Sequence, residues 1–221
     1  MLGENDRISA EIACIDTGNL PASLVSTVGS HCDVWQTSGT TGDDEYDVPV
    51  ECVIKHHRLT CTPREIAILV RDYQTLKGRL QEIVPRATYI RTRVNGAENV
   101  IVVAQAFTPW FNLANPLNEQ ESIPLLNKLL KARMQLARFV EAAKDWRAKK
   151  QWIIDLYGLD NLILDKNREV RYLDSFGVFF HEDLLHVLDT RDWELEQKID
   201  LSLRRLDYLE HLLGRLDDVP E

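Results

Sequence analysis

Gln151–Gly177, QWIIDLYGLDNLILDKNREVRYLDSFG, is the stretch whose reading decides the fold. Its apolar run Trp152-Ile153-Ile154 stops at Asp155, and a loop with Gly158 follows. Asp160-Asn161 then precedes a second apolar run, Leu162-Ile163-Leu164. Asp165-Lys166-Asn167 is turn chemistry, because short polar side chains hydrogen-bond their own backbone. Val170-Arg171-Tyr172-Leu173 alternates as a short strand and completes a hairpin. That hairpin delivers Asp174 at its far end, ahead of Ser175-Phe176-Gly177. Carboxylates and an amide thus stand at the ends of short strands, where they can share a divalent cation such as Mg²⁺, which takes oxygen ligands. The same stretch also reads as an ordinary hairpin with polar turns.

The order of these elements resembles the catalytic and metal-binding segments of the protein-kinase-like fold. There an Asp and an Asn frame a loop, and a strand–turn–strand leads to the Asp of a D-F-G motif. By that resemblance Asn161 is the loop Asn, and Asp174-Ser175-Phe176-Gly177 is a D-F-G with one inserted residue. The family sets its loop Asp five residues before the Asn, a place held here by Leu156. Asp155 lies six before and fits a loop with one extra residue. The resemblance implies that Asn161 and Asp174 hold Mg²⁺ and that Asp155 accepts a proton.

Upstream, Val48 to Lys55 (VPVECVIK) is a strand ending on a lysine. Leu24–Ser30 and Cys32–Trp35 read as two short strands around a turn, and Ser38–Glu45 as a loop. In the kinase-like fold a hairpin covers the nucleotide phosphates and the third strand carries the Lys that contacts them. Gly29 and Lys55 stand in those places, with one glycine where the family has two or three. Read without the resemblance, Lys55 is a solvated strand end.

Thr62-Pro63-Arg64-Glu65 is a helix start, with an N-cap Thr, Pro in the first turn and Glu three residues on. Ile66, Leu69, Val70, Tyr73, Leu76 and Leu80 then mark one helical face. The resemblance gives this helix the acid that pairs with Lys55. Glu65 is the first choice, although the capping box also explains it, and Asp72 is the second. Ala87–Arg93 and Asn99–Ala106 read as strands joined by a turn at Asn95-Gly96. Pro109 stops the sheet. The run Phe107–Pro116 would be the hinge between lobes, where backbone groups of Gln105 to Phe107 meet an adenine edge; Trp110 reads as packing.

Ser122 to Lys150 has helical spacing and a basic end, which suits a helix C-terminus. After Gly177 come Val178-Phe179-Phe180, a helix from about Asp183, and a longer one from Thr190 to Arg215. The last packs on the lobe or forms a partner surface. His56-His57 are adjacent strand residues that point to opposite faces, so they do not form a metal pair.

The net charge of −9 excludes general nucleic-acid binding, which needs a basic surface. No run approaches the length of a membrane span. The N-terminal MLGENDRISAEI lacks a signal-peptide pattern, so a cytoplasmic location with reduced Cys14, Cys32, Cys52 and Cys61 is expected.

The fold expected is α+β: a two-lobed kinase-like chain with an antiparallel N-lobe sheet over residues 1–106. Residues 107–221 form the hinge and a minimal, mainly helical C-lobe. The function implied by the resemblance is ATP- and Mg-dependent phosphotransfer to an unknown protein or small-molecule acceptor. A pseudokinase working as a nucleotide-binding or protein-interaction module is the alternative. A non-kinase α+β adaptor is a third reading, which requires Lys55, Asn161 and Asp174 to be scattered.

Overall fold

The computed structural model describes residues 22–26, 32–41, 48–94, 96–181 and 192–217. The chain is α+β and divides into two compact units. The first takes the described residues up to Val70 together with Arg86–Ala106, and the second takes Arg71–Pro85 and the described residues from Phe107 on.

The first unit is a five-stranded antiparallel sheet. Its strands are β1 (Ala22–Ser26), β2 (Cys32–Thr41), β3 (Val48–His57), β4 (Ala87–Val94) and β5 (Ala97–Gln105), in the order β1-β2-β3-β5-β4. Strand β2 runs on through Ser38–Thr41, where a loop was expected, because that segment pairs with β3 as far as Thr41 opposite Val48. Ladder pairing overrides weak local propensity there. Gly96 closes the β4–β5 turn with φ +83°, a conformation that glycine adopts without strain. Val100, Val102 and Ala104 are buried on alternate positions of β5.

Helix α1 (Pro63–Leu80) starts where the sequence puts it. The Thr62 N–H and hydroxyl both donate to Glu65 Oε2 at 2.7 Å, and the Glu65 N–H donates back to Thr62 Oγ1. The capping box thus satisfies donors that have no intrahelical partner. Its residues to Val70 belong to the first unit and those from Arg71 to the second. Leu76 and Leu80, in the second unit, are fully buried, and the Tyr73 hydroxyl donates to Pro85 O.

The second unit holds β6 (Pro109–Asn112), β7 (Trp152–Ile154), β8 (Leu162–Asp165), β9 (Val170–Tyr172) and β10 (Phe179–His181). They form a three-stranded sheet, β6-β8-β9, and a two-stranded one, β10-β7. Pro109 opens the edge strand β6, a place where its missing N–H costs nothing. The expected helix over Ser122–Lys150 is two: α2 (Glu119–Lys128) and α3 (Leu130–Lys150). Leu129, at φ −111° and ψ 69°, leaves the helical region between them, with no Gly or Pro to mark the break.

Helix α3 ends on Gln151 in the left-handed conformation, which turns the chain into β7. Its Phe139 ring lies 5.8 Å from Tyr172, and its Trp146 meets Phe179 edge-on at 5.0 Å. Helix α4 (Trp193–Asp217) sets Ile199 against Ile153 and Phe180, with Leu195 and Leu203 beside them. The short helix expected from Asp183 lies outside the described residues.

Candidate functional site

Asp155, Asn161 and Asp174 converge within the second unit. The Asp155 N–H donates to Val178 O, so the residue extends the β7–β10 ladder and its position is fixed by the sheet. Its carbonyl then accepts from the Asn161 side-chain amide at 3.2 Å and from the Tyr172 hydroxyl at 2.9 Å. The same Asn161 Nδ2 lies 3.5 Å from Asp174 Oδ2. Asn161 is itself held by a short 3₁₀ turn over Leu159–Asn161, and its carbonyl accepts from Leu173 N. The amide therefore bridges the main chain of one acid and the carboxylate of the other.

Gly158 makes room for this bridge. A Cβ at that position would stand 2.5 Å from Asn161 Oδ1, inside any real contact distance. Its φ of −71° is open to every residue, so the glycine is required by space and not by backbone conformation. Asp174 is half-buried, and its Oδ1 accepts from Ser175 N at 2.7 Å and Phe176 N at 3.2 Å. These bonds fix one carboxylate oxygen in the turn, which Phe176 anchors by full burial and Gly177 closes at φ +59°.

The Asp155 side chain is buried, and its Oδ1 accepts from Tyr157 N at 2.7 Å. Burial, and next the negative charge of Asp174, push its carboxyl up to about 7. The Tyr157 hydrogen bond and the charges of Lys198 and Arg205 pull the other way without winning. A carboxyl titrating near neutrality is matched to proton transfer.

Carboxylate oxygens of Asp155 and Asp174 are of the hard kind that Mg²⁺ takes, whereas the Asn161 amide turns its N–H₂ group, not its oxygen, toward Asp174 Oδ2 and the Asp155 carbonyl. The mutual repulsion of Asp155 and Asp174 is also the excess negative charge that a bound cation neutralises. Among the described residues no group of three or more His, Cys, Asp and Glu stands where it could hold a metal ion.

The burial of Asp155 has a consequence for stability. Its folded value lies above the ordinary carboxyl value near 4, so between the two the folded chain keeps a proton that the unfolded chain has lost. The associated stability is complete below pH 4 and falls as pH rises through about 7. Urea unfolding without divalent cations should show a decline on the order of 1 kcal/mol per pH unit in that window. The Asp155→Asn variant should lack it, and an unchanged slope would contradict the buried, protonated state.

Asp160 does not join the acids. It is exposed and accepts from Asn112 Nδ2 at 3.1 Å, tying the loop to β6. Asp165 is a structural acid: fully buried, it caps its own turn through Asn167 N and Glu169 N and pairs with Arg171 Nε at 3.0 Å. Arg171 in turn lies 4.4 Å over the Phe107 ring.

In the first unit Lys55 is buried and directly opposite Val102, so it shares the buried face of the sheet and is not a solvated strand end. Glu65 is engaged by Thr62. The Gln105 N–H donates to Arg86 O and the Ala106 N–H to Glu51 O, so both are spent inside the first unit. His57 Nδ1 lies 2.9 Å from Leu59 O and 3.3 Å from Cys61 Sγ. In the second unit Asp72, buried, pairs with its neighbour Arg71 at 2.8 Å. Gly29 and Cys14 lie outside the described residues. Cys32, Cys52 and Cys61 are buried.

Sequence reading missed the part of the site carried by α4. Leu156 N donates to Ser202 Oγ at 3.1 Å, and Arg205 Nη1 donates to the carbonyls of Leu156 and Tyr157. The signal was present as polar residues at i, i+4 and i+7 (Lys198, Ser202, Arg205), all of them buried. Among the described residues no helix is long and apolar enough to cross a membrane. No protein-family model matches the chain, and no curated protein matches it.

Proposed function

We propose that this chain is an ATP- and Mg²⁺-dependent phosphotransferase of two-lobed, kinase-like design. The observation that carries the proposal is the Asn161 amide, which joins the Asp155 main chain to the Asp174 carboxylate in one segment of chain. In this reading Asp174 and Asn161 hold Mg²⁺, which when bound supplies charge neutralisation for the phosphates. Asp155 accepts the proton of the acceptor hydroxyl as its oxygen bonds to the γ-phosphorus and the β–γ bridge breaks to release ADP. The Tyr157 N–H orients the Asp155 carboxylate, and Lys198 and Arg205 favour its ionised form. The kinase resemblance further assigns Lys55 to the nucleotide phosphates, on sequence order alone.

Thermal or chemical unfolding with and without ATP and Mg²⁺ tests this. Nucleotide with metal at ~100 times its dissociation constant should stabilise the chain by roughly 2.7 kcal/mol. ATP without Mg²⁺ should do much less. No stabilisation under either condition overturns the proposal. The burial of Asp155, with one oxygen already taken by Tyr157 N, favours the pseudokinase as the second reading. Stabilisation by ATP and Mg²⁺ without turnover for any acceptor selects it.

A further inference from the structure

We infer that helix α4 is the positioning element of the Asp155 loop, with Ser202 and Arg205 as its positioning residues. The inference rests on the phosphotransferase reading for its functional meaning and on contacts alone for its geometry. Packing α4 against Ile153 and Phe180 needs only apolar side chains, which Leu195, Ile199 and Leu203 supply. Yet the helix also buries Lys198, Ser202 and Arg205 to 9%, 1% and 8% exposure on one helical stripe. Burying a guanidinium is costly, and an apolar residue of similar size packs at least as well. Arg205 Nε, moreover, is buried with no hydrogen-bond partner among the described residues. The side chain is held for what its Nη1 does.

Its Nη1 grips two successive carbonyls, those of Leu156 and Tyr157, while Ser202 Oγ takes the Leu156 N–H. The Tyr157 N–H, in turn, donates to Asp155 Oδ1. An unbroken chain of contacts therefore runs from α4 through the main chain of the loop to the carboxylate. Lys198 approaches the same place from one turn earlier, with its ammonium 5.8 Å from the Tyr157 ring and 2.6 Å from Glu194. Fixing main-chain atoms on both sides of Leu156 leaves the carboxylate one aim, which is what proton transfer from a bound hydroxyl requires.

The test uses the full chain with Ser202→Ala, Ser202→Thr and Arg205→Lys. Residue-resolved amide hydrogen exchange should quicken at Leu156 and Tyr157 by about tenfold or more in Ser202→Ala and Arg205→Lys. Amides in the middle of α3 should not change, and Ser202→Thr, which keeps the hydroxyl, should restore the parent rate. Binding of Mn²⁺, used as the metal probe, should stay within about threefold of the parent. Turnover of ATP should fall roughly 10–100-fold in kcat with KM for ATP nearly unchanged. Unaltered exchange at Leu156 and Tyr157, a rise spread equally through α3, or failure of Ser202→Thr to rescue overturns the inference. A parent chain with the expected exchange pattern but no turnover overturns the phosphotransferase reading and leaves the positioning by α4 standing.

Discussion

Asp174→Asn should eliminate magnesium-dependent ATP binding while leaving the fold in place. The retained fold follows from the contacts. Asp174 Oδ1 serves only as an acceptor for Ser175 N and Phe176 N, and an asparagine oxygen accepts the same two bonds. What the substitution removes is the charged oxygen that accepts from the Asn161 amide, putting an N–H₂ group in its place. A hard cation held by few protein ligands depends on each anionic one. Changes one shell further out commonly cost 10–100-fold in metal affinity, so loss of this carboxylate should cost at least that much. Calorimetric titration of ATP in the presence of Mg²⁺, with parent and variant compared, gives the answer. Equal binding would remove Asp174 from the site, and matched unfolding curves without ligand would show that the turn survived.

The second large effect is expected at Asp155. Asp155→Ala should lower turnover by ~10²–10⁴-fold, the usual scale for loss of a general base, with ATP affinity little altered. Alanine also frees the Tyr157 N–H, which Asp155 Oδ1 now accepts, so Asp155→Asn is the cleaner companion. It keeps the acceptor and the volume but cannot take a proton, and it should be equally impaired. Asp160→Ala should cost far less, because Asp160 is exposed and bonded to Asn112, away from the Asn161 bridge. The opposite ranking of the two variants would transfer the role of base to Asp160.

Much of the candidate site was legible because it is local. Apolar runs ending at Asp155 and beginning at Leu162, a turn at Asp165–Asn167 and an alternating β9 are each marked by neighbouring residues. Their ends place Asp155, Asn161 and Asp174 without long-range information. The capping box at Thr62–Glu65 was legible for the same reason, and it leaves Glu65 engaged in a task independent of Lys55.

The parts that escaped depend on distant partners. Ser38–Thr41 looks like a loop until β3 is laid beside it. Arg205 and Ser202 look like ordinary polar residues of an amphipathic helix, since nothing nearby in sequence says that their partners are the main-chain atoms of Leu156 and Tyr157. The break at Leu129 carries no Gly or Pro signal. Lys55 reads as a strand terminus because its burial is set by the neighbour strand β5, opposite Val102.

The bridge from Asp155 through Asn161 to Asp174 lies on one contiguous run of chain, and that has a bearing on how it is made. Closing short loops costs little chain entropy, and the cost rises with the length enclosed. Contacts close in sequence also form quickly, whereas distant ones wait for the rest of the chain. The acids and the amide are thus expected to meet early in folding, as a loosely held set. Arg205 and Ser202 arrive only when the last helix docks. Assembly of the trio and the stiffening of its loop are therefore separate events, and only the second depends on the C-terminal end of the described chain.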